Sequence, residues 1–330
     1  MAGRIAPSGH LMTVVVLGLP SAFAAWGFEA VRRIAQAKLA AAQPQWVDRF
    51  DRFGFDEARP TVVCAQFPPR SLRDALSNRP IPVIVLTTSA TDAVCFQRLV
   101  QPTLLEAVRT IGASVALIGD CRPSGPVLRL DGSSPLPAAA ILHALAGHMG
   151  VQLSDDDESM LLEMLQPVPS AYLEGLAEAD EGIVTLVLEN SVAHLRDETV
   201  PLRSIWPHRV FFSGDRPNEE APLVTDATGG SRILYYGPYF HLAEGRWRAK
   251  LTLGFTKEAV GLPLKISAWG PGLLGEARFR PRQEGIFAAP FSFTVAEPEH
   301  PVELHIRTEE GAIEGRIALG QVELNYVGRG

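Results

Sequence analysis

Cysteine is scarce in this chain of 330 residues: Cys64, Cys95 and Cys121 are an odd set with no CxxC spacing. That argues against both a disulfide framework and a zinc knuckle, and it suits three small apolar side chains in the reducing cytoplasm. Basic charge is short as well. Lys and Arg number 30 against 37 Asp and Glu, a formal net charge of -7, so the electrostatic footprint that nucleic acid requires is missing. Long apolar runs are missing too, because the stretch Leu11 to Ala25 is interrupted by Gly18, Pro20 and Ser21 and is too short to cross a bilayer. No membrane span is expected. Catalytic signatures are equally absent: the chain has no GxSxG elbow, no HExxH and no GxxxxGK[ST].

What is present reads as two folded parts. The length exceeds that at which one core keeps growing, and 46% apolar with 20% charged residues leaves no reason to expect disorder. At the N-terminus, Ala22-Phe23-Ala24 follows the apolar run as a signal-peptidase site would. Read that way, the protein is secreted or periplasmic. The Gly-Leu-Pro break fits a strand end better, so a retained, cytoplasmic N-terminus is the expectation, with Met12 as an alternative start to Met1.

Thr13 to Leu17 is a β-branched run, then a Gly-Leu-Pro turn, then helical spacing from Phe23 to Leu39. The alternation continues with strands at Thr61 to Ala65, Val83 to Leu86 and Ser114 to Ile118, and helices at Ser71 to Leu76 and Thr91 to Ile111. Helices follow at Pro135 to Met149, Ser154 to Leu165 and Ser170 to Ala179, then a strand at Ile183 to Leu188. Strands alternating with helices predict a parallel sheet flanked by helices. The acidic run Ser154 to Glu158 is read as a helix cap rather than a metal site. His143 and His148, five positions apart, do not share the i, i+4 face of a metal pair. No metal ligand set is assigned.

Pro, Gly, Asp and Asn cluster after Pro201, so 201–231 reads as a linker between an α/β domain over 1–200 and a β domain over 232–330. From Arg232 onward short alternating runs recur every eight to twelve residues, the pattern of a β-sandwich. Trp247, Ala249, Leu251, Leu253 and Phe255 take one face of a strand, and Arg246, Arg248, Lys250 and Thr252 the other. Phe291, Phe293 and Val295, then Val302, Leu304 and Ile306, and last Val322, Leu324 and Tyr326 supply the rest of the core.

A strand ending in a tight loop that opens a helix is where backbone N–H groups and the helix dipole converge on phosphate. Gly18 to Trp26 resembles the first motif of the sulfotransferases, which implies a P-loop-like α/β fold. Gly18, Pro20 and Trp26 match its framework, but Ser21 stands for the basic residue, Ala22 for the serine, Phe23 for the glycine, and Ala24 and Ala25 for the hydroxyls. The second donor segment of that family resembles Val83 to Leu99. Asp92 matches, while the phosphate-binding Arg and Ser positions fall on Thr88 and Phe96. Leu188-Glu189-Asn190 resembles a later Tyr-Glu-Asp segment at a strand end. Charged hydrogen bonds contribute roughly 1.5–3 kcal/mol each, so losing several would weaken a phosphosulfate donor by powers of ten. The resemblance therefore implies a scaffold without its cofactor, and no catalytic residue is assigned.

Tyr236-Gly237-Pro238-Tyr239 with Leu242 to Trp247 resembles the jelly-roll carbohydrate-binding modules attached to bacterial polysaccharide enzymes. Strand parity places Trp247 inward and Trp269 outward with Lys265 and Ser267, with Tyr235 and Tyr239 at a turn. Trp269, Lys265, Tyr235, Tyr239, Arg246 and Arg248 are the candidate glycan contacts, the aromatics by stacking and the cations toward an acidic glycan. Arg246, Arg248, Lys250, His305 and Arg307 share the outward parity and suggest one basic face. His208 and His300 are lone histidines. The expectation is a non-catalytic protein of polysaccharide biosynthesis, binding a polysaccharide or oligosaccharide or a protein of the synthesis complex. An active sulfotransferase or other transferase with a rebuilt donor site, and a structural assembly protein, are the alternatives.

Overall fold

The computed structural model describes residues 13–39, 44–54, 61–134, 136–168 and 175–329. The chain divides into two compact units, Met1–Thr88 with Cys121–Ala171, and Ser89–Asp120 with Tyr172–Gly330. This is not the expected boundary near residue 200. The second unit takes an early helical stretch as well as everything after residue 171.

The first unit carries a parallel sheet of β1 (Thr13–Gly18), β2 (Gln45–Trp46), β3 (Thr61–Ala65), β4 (Val83–Thr87) and β5 (Val127–Asp131), in the order β2-β3-β1-β4-β5. β1 is central and its inner residues are buried, as the β-branched run predicts. Helices α1 (Ala22–Lys38), α5 (Ala138–His148) and α6 (Asp155–Met164) share one core with the sheet, where Phe23, Trp26, Phe28 and Ile34 meet Val14, Val16, Cys64, Ile84 and Leu145. Helix α2 (Arg70–Asn78) buries Leu72 and Leu76. Burial pushes the Cys64 thiol up to about 12, which leaves it a protonated apolar group. The acidic run is a cap: Ser154 Oγ accepts from Asp157 N, and the Asp157 carboxylate accepts from Ser154 N at 2.8 Å.

Three strand and helix assignments change. Ser114 to Ile118 lies in helix α4 (Leu104–Gly119), not a strand, and the expected helix Thr91 to Ile111 is two, α3 (Ala90–Arg98) and α4. Pro102 interrupts them, and Thr103 restarts the helix in a capping box with Glu106. Every residue from Ile111 to Ile118 is buried, so no polar face remains to show a helical period. The parallel strand is instead β5, a short edge strand with Arg129 exposed. Ile183 to Leu188 is likewise helical, spanning α7 (Glu178–Val184), a π turn at Thr185–Glu189 and α8 (Asn190–Arg196). Ile183, Val184, Val187 and Leu188 are buried with Thr185 and Leu186 exposed between them, a helical stripe rather than an alternation. The expected helix Ser170 to Ala179 falls largely outside the described residues. Its described part before Glu178 is not helical.

The second unit is an antiparallel sandwich. Its strands are β6 (Arg203–Pro207), β7 (Phe212–Ser213), β8 (Val224–Asp226), β9 (Ile233–Phe240), β10 (Gly245–Phe255), β11 (Leu264–Trp269), β12 (Leu273–Phe279), β13 (Gly285–Val295), β14 (Val302–Thr308) and β15 (Arg316–Gly328). One sheet runs β13-β10-β15-β6 with β8 also on β15, and the other β12-β11-β14-β9-β7. The stretch 201–231 is therefore no linker, since its Pro- and Gly-rich segments are turns between β6, β7 and β8. Along β10 the residues Trp247, Ala249, Leu251, Leu253 and Phe255 are buried and Arg246, Arg248 and Lys250 exposed, the expected alternation. Gly245 has φ of 136°, and a Cβ there would lie 2.6 Å from the Tyr326 ring. This is why a glycine must precede Trp247.

Helical segments belong to the sandwich because it binds them by hydrogen bonds as well as packing. Asp120, which ends α4, is buried and accepts from Glu244 N at 2.9 Å and from Arg329 Nη2 at 3.2 Å. Ser204 Oγ on β6 donates to Val187 O at 2.8 Å and accepts from Trp206 Nε1 at 3.0 Å. Around this seam, lined by Gly112, Val115, Leu188, Trp206, Phe240 and Trp247, about 30 Å³ of cavity remains.

Trp247→Ala removes a fully buried indole with a hydrogen bond to Ala243 O and should cost about 3–5 kcal/mol, read as a lower denaturant midpoint. Asp120→Ala should cost about 1.5–3 kcal/mol, because Glu244 N loses a charged acceptor. Equal midpoints for Asp120→Ala and wild type would show that this bond does not hold α4.

Candidate functional site

In the first unit the order β2-β3-β1-β4-β5 puts the end of β1 where the chain turns to opposite sides of the sheet, the place open parallel sheets reserve for ligands. The loop there is spent on its own structure. Leu19 N donates to Leu86 O at 2.9 Å, and Ser21 caps α1 by accepting from Ala24 N at 3.0 Å. Pro20 has no N–H to offer. Gly18 is crowded by Phe28 and Ala24, so that even a Cβ would lie 2.6 Å from the Phe28 ring. Phe23 is buried, fills the space beside Gly132, and stacks on Trp26 with ring centres 6.3 Å apart. Apolar rings occupy the start of the helix. Thr88 is buried at the end of the first unit. Asp92 and Phe96 lie on α3 in the second, where Asp92 N donates to the capping Ser89 Oγ, whose hydroxyl donates to the Asp92 carboxylate. Glu189 and Asn190 sit in a helix rather than at a strand end. Glu189 accepts from Ala90 N, and Asn190 Oδ1 accepts from Arg203 N at 2.7 Å.

The sandwich separates the expected glycan contacts. Tyr235 is a correction: it is fully buried, its hydroxyl donating to Ile317 O at 2.8 Å, and it presents no ring to solvent. The expected single basic face is two, because Arg246, Arg248 and Lys250 lie outside one sheet and His305 and Arg307 outside the other. On the first, Arg248 lies between Ser292 and Asn325, and Lys250 pairs with Glu323 at 3.2 Å. Arg246 and Arg248 are exposed and form no ion pair among the described residues. On the second, Lys265 is tied to Glu276 at 2.5 Å and so offers no free charge.

Trp269 is where parity put it, at the end of β11 on the outer face. It is 36% exposed, so the following Gly270-Pro271-Gly272 turn does not cover it. Its Nε1 donates to Ser267 Oγ at 2.9 Å, and its ring lies 6.0 Å from that of His305. Antiparallel register sets Glu303 directly beside Trp269 and His305 beside Ser267. Glu303 Oε1 is 2.8 Å from His305 Nε2 and accepts from the Tyr239 hydroxyl, also at 2.8 Å. Burial raises the Glu303 carboxyl, yet the His305 and Tyr239 hydrogen bonds outweigh it and hold the group below its ordinary value. Burial first, then Glu303, pushes the Tyr239 phenol up, so it stays a donor. Tyr239 has φ of 67°, a left-handed conformation that a bulky residue keeps only where its surroundings hold it. Here Arg109 of α4 lies 5.4 Å from the rings of both Tyr239 and Phe212, and its Nε donates to Pro238 O.

The result is a fixed ring, a carboxylate with lone pairs to spare, and an imidazole in one row. Glu303 was missed from the sequence and His305 was seen only as a charge. Parity on β14 exposes both, but only the strand register brings them to Trp269.

No protein-family model matches the chain, and no curated protein matches it. Among solved structures it is similar to the C-terminal CBM6 of LamC, a marine laminarinase from Zobellia galactanivorans, at 10% identity and TM-score 0.26, over 38% of this chain and 99% of that one. It is also similar to the carbohydrate-binding module CBM6cm-2 of Cellvibrio mixtus lichenase 5A, seen in complex with cellotriose, at 9% identity and TM-score 0.26, over 38% of this chain and 98% of that one. The likeness to apo BiXyn10A CBM1 has 18% identity and TM-score 0.20 and covers 26% of this chain. It spans only 54% of that chain, about half its length.

Phosphoadenosine phosphosulfate, or its bisphosphate product, should leave the melting temperature unchanged at sub-millimolar concentration, since a ligand of the native state stabilises in proportion to its occupancy. A rise that grows with concentration would restore a donor site to the loop after β1.

Proposed function

We propose that the protein is a non-catalytic glycan-recognition protein, in which the outer face of β11 and β14 binds a polysaccharide or oligosaccharide chain. The observation that carries this is Trp269, exposed, pinned through its Nε1 and flanked by Glu303. Sugars offer an apolar ring face for stacking and hydroxyls for hydrogen bonding, and a tryptophan beside a carboxylate answers both. The pinned indole adds little ordering cost on binding. The α/β unit supports a scaffold role, because its loop after β1 is filled by Phe23 and Ser21 caps a helix rather than meeting a phosphate. A place in bacterial polysaccharide biosynthesis, in the cytoplasm where the three thiols stay reduced, completes the reading.

Affinity electrophoresis of the full chain through gels holding laminarin, lichenan, xylan, cellulose derivatives or an acidic glycan tests it. At least one gel should retard the protein. Trp269→Ala should fold normally and weaken that retardation by roughly tenfold, as loss of a stacking contact does. Unretarded migration in every gel, or equal retardation of Trp269→Ala, overturns the assignment. Loss of binding in an Arg246→Ala, Arg248→Ala double variant alone would move the site to the other sheet.

A further inference from the structure

One flank of the sandwich, at β6, is closed by helices, and the other is open. β12 and β13 are the outermost strands of their sheets, and inward positions there are small, Ala277 on one and Ala289 on the other. Between them lies a cavity of about 510 Å³, with Leu253, Phe255 and Ile266 of the core as its floor and Phe279 and Phe287 as walls. The Phe255 ring is 6.2 Å from each of the two wall rings. The hollow is open to solvent along the flank. An apolar hollow of several hundred Å³ with a few polar groups at its rim is the form of a small-molecule site.

The rim supplies the charge. Arg278, Arg280 and Arg282 stand there with Gln283. Arg278 is matched by Glu276 and Glu309, and Arg280 by Glu310 at 2.9 Å. Arg282 is exposed and has no hydrogen bond or ion pair among the described residues. Glu284, nearby in the chain, does not line the cavity. Apart from Arg278, Arg280, Arg282 and Gln283 the lining side chains are apolar, so a sugar laid against Phe255, Phe279 and Phe287 would lose its hydration there without replacement. An alkyl chain would lose none. One uncompensated guanidinium at the mouth matches one carboxylate, which its fork binds in a bidentate manner.

We propose that this cavity is a binding site for a single-chain amphiphilic carboxylate of the fatty-acid class, its tail between the sheets against Phe255, Phe279 and Phe287 and its head on Arg282. The site is separate from the Trp269 face and stands whether or not that face binds glycan.

Calorimetric titration of the full chain with decanoate below its micellar concentration, with decanol as the uncharged arm, tests this. Decanoate should bind saturably with one site. Ala289→Phe fills the cavity and should weaken decanoate at least about tenfold with the melting temperature kept. If that variant melts early, Ala277→Leu fills the same space from the other strand. Arg282→Gln should weaken decanoate several-fold and leave decanol unchanged. Absence of saturable binding, full affinity in a folded cavity-filled variant, or unchanged decanoate affinity in Arg282→Gln overturns the proposal.

Discussion

Two stacked sheets bury their facing surfaces, but they cannot close over the core at the flanks, where the outermost strands of each end. The second unit depends on how it meets that constraint. At β6 the open side is stoppered by α4 and by the helix through Asn190, held by Asp120 and Ser204. Trp206 is fully buried as a result and packs edge-on to Phe240 at 5.5 Å. At β12 and β13 no helix of the second unit packs among the described residues, and Ala277, Phe279, Phe287 and Ala289 are only half-buried. One geometric problem thus yields both a tightly filled seam and a cavity. It also explains why residues 89–120 belong with a sandwich that begins eighty residues later.

The outer faces of the two sheets differ in kind. Charges on the β11 and β14 side are mostly paired, Lys265 with Glu276 and Arg278 with Glu309, so little free charge is left and the exposed feature is an aromatic ring. The β10 side keeps two arginines without an ion pair among the described residues, in a field of serine, threonine and asparagine. A ring held by a hydrogen bond is a surface for stacking, whereas unpaired guanidinium groups on a flat sheet are ordinary solvated side chains until an anion meets them. The two faces therefore differ in chemistry, an aromatic surface on the Trp269 side and exposed guanidinium groups on the β10 side.

The loop after β1 is accounted for by local backbone needs. A glycine, a proline and a helix-capping serine are enough to turn the chain from strand to helix. Binding phosphate requires in addition that the first-turn N–H groups face free space, and Phe23 and Trp26 occupy the side chains' share of it. Glycine, proline and serine at these positions follow from the turn and the helix cap alone.

By itself the sequence determined the class of each half, the β1 strand with its capped helix, the buried side of β10 and the outward parity of Trp269. These follow from period, caps and alternation, which are local properties. It did not reveal α4 past Ile111, since a helix buried all round has no amphipathic signal, nor the helix through Leu188, whose short apolar run reads equally as a strand, and it read β6 to β8 as a linker because strands of two to five residues are too short to show alternation. Only the tertiary structure decided that Tyr235 faces inward, that Glu303 and His305 stand beside Trp269, and that Ala277 and Ala289 face one another across a cavity. Those are matters of register and of pairing between distant segments, and no local pattern encodes which strand a residue will meet.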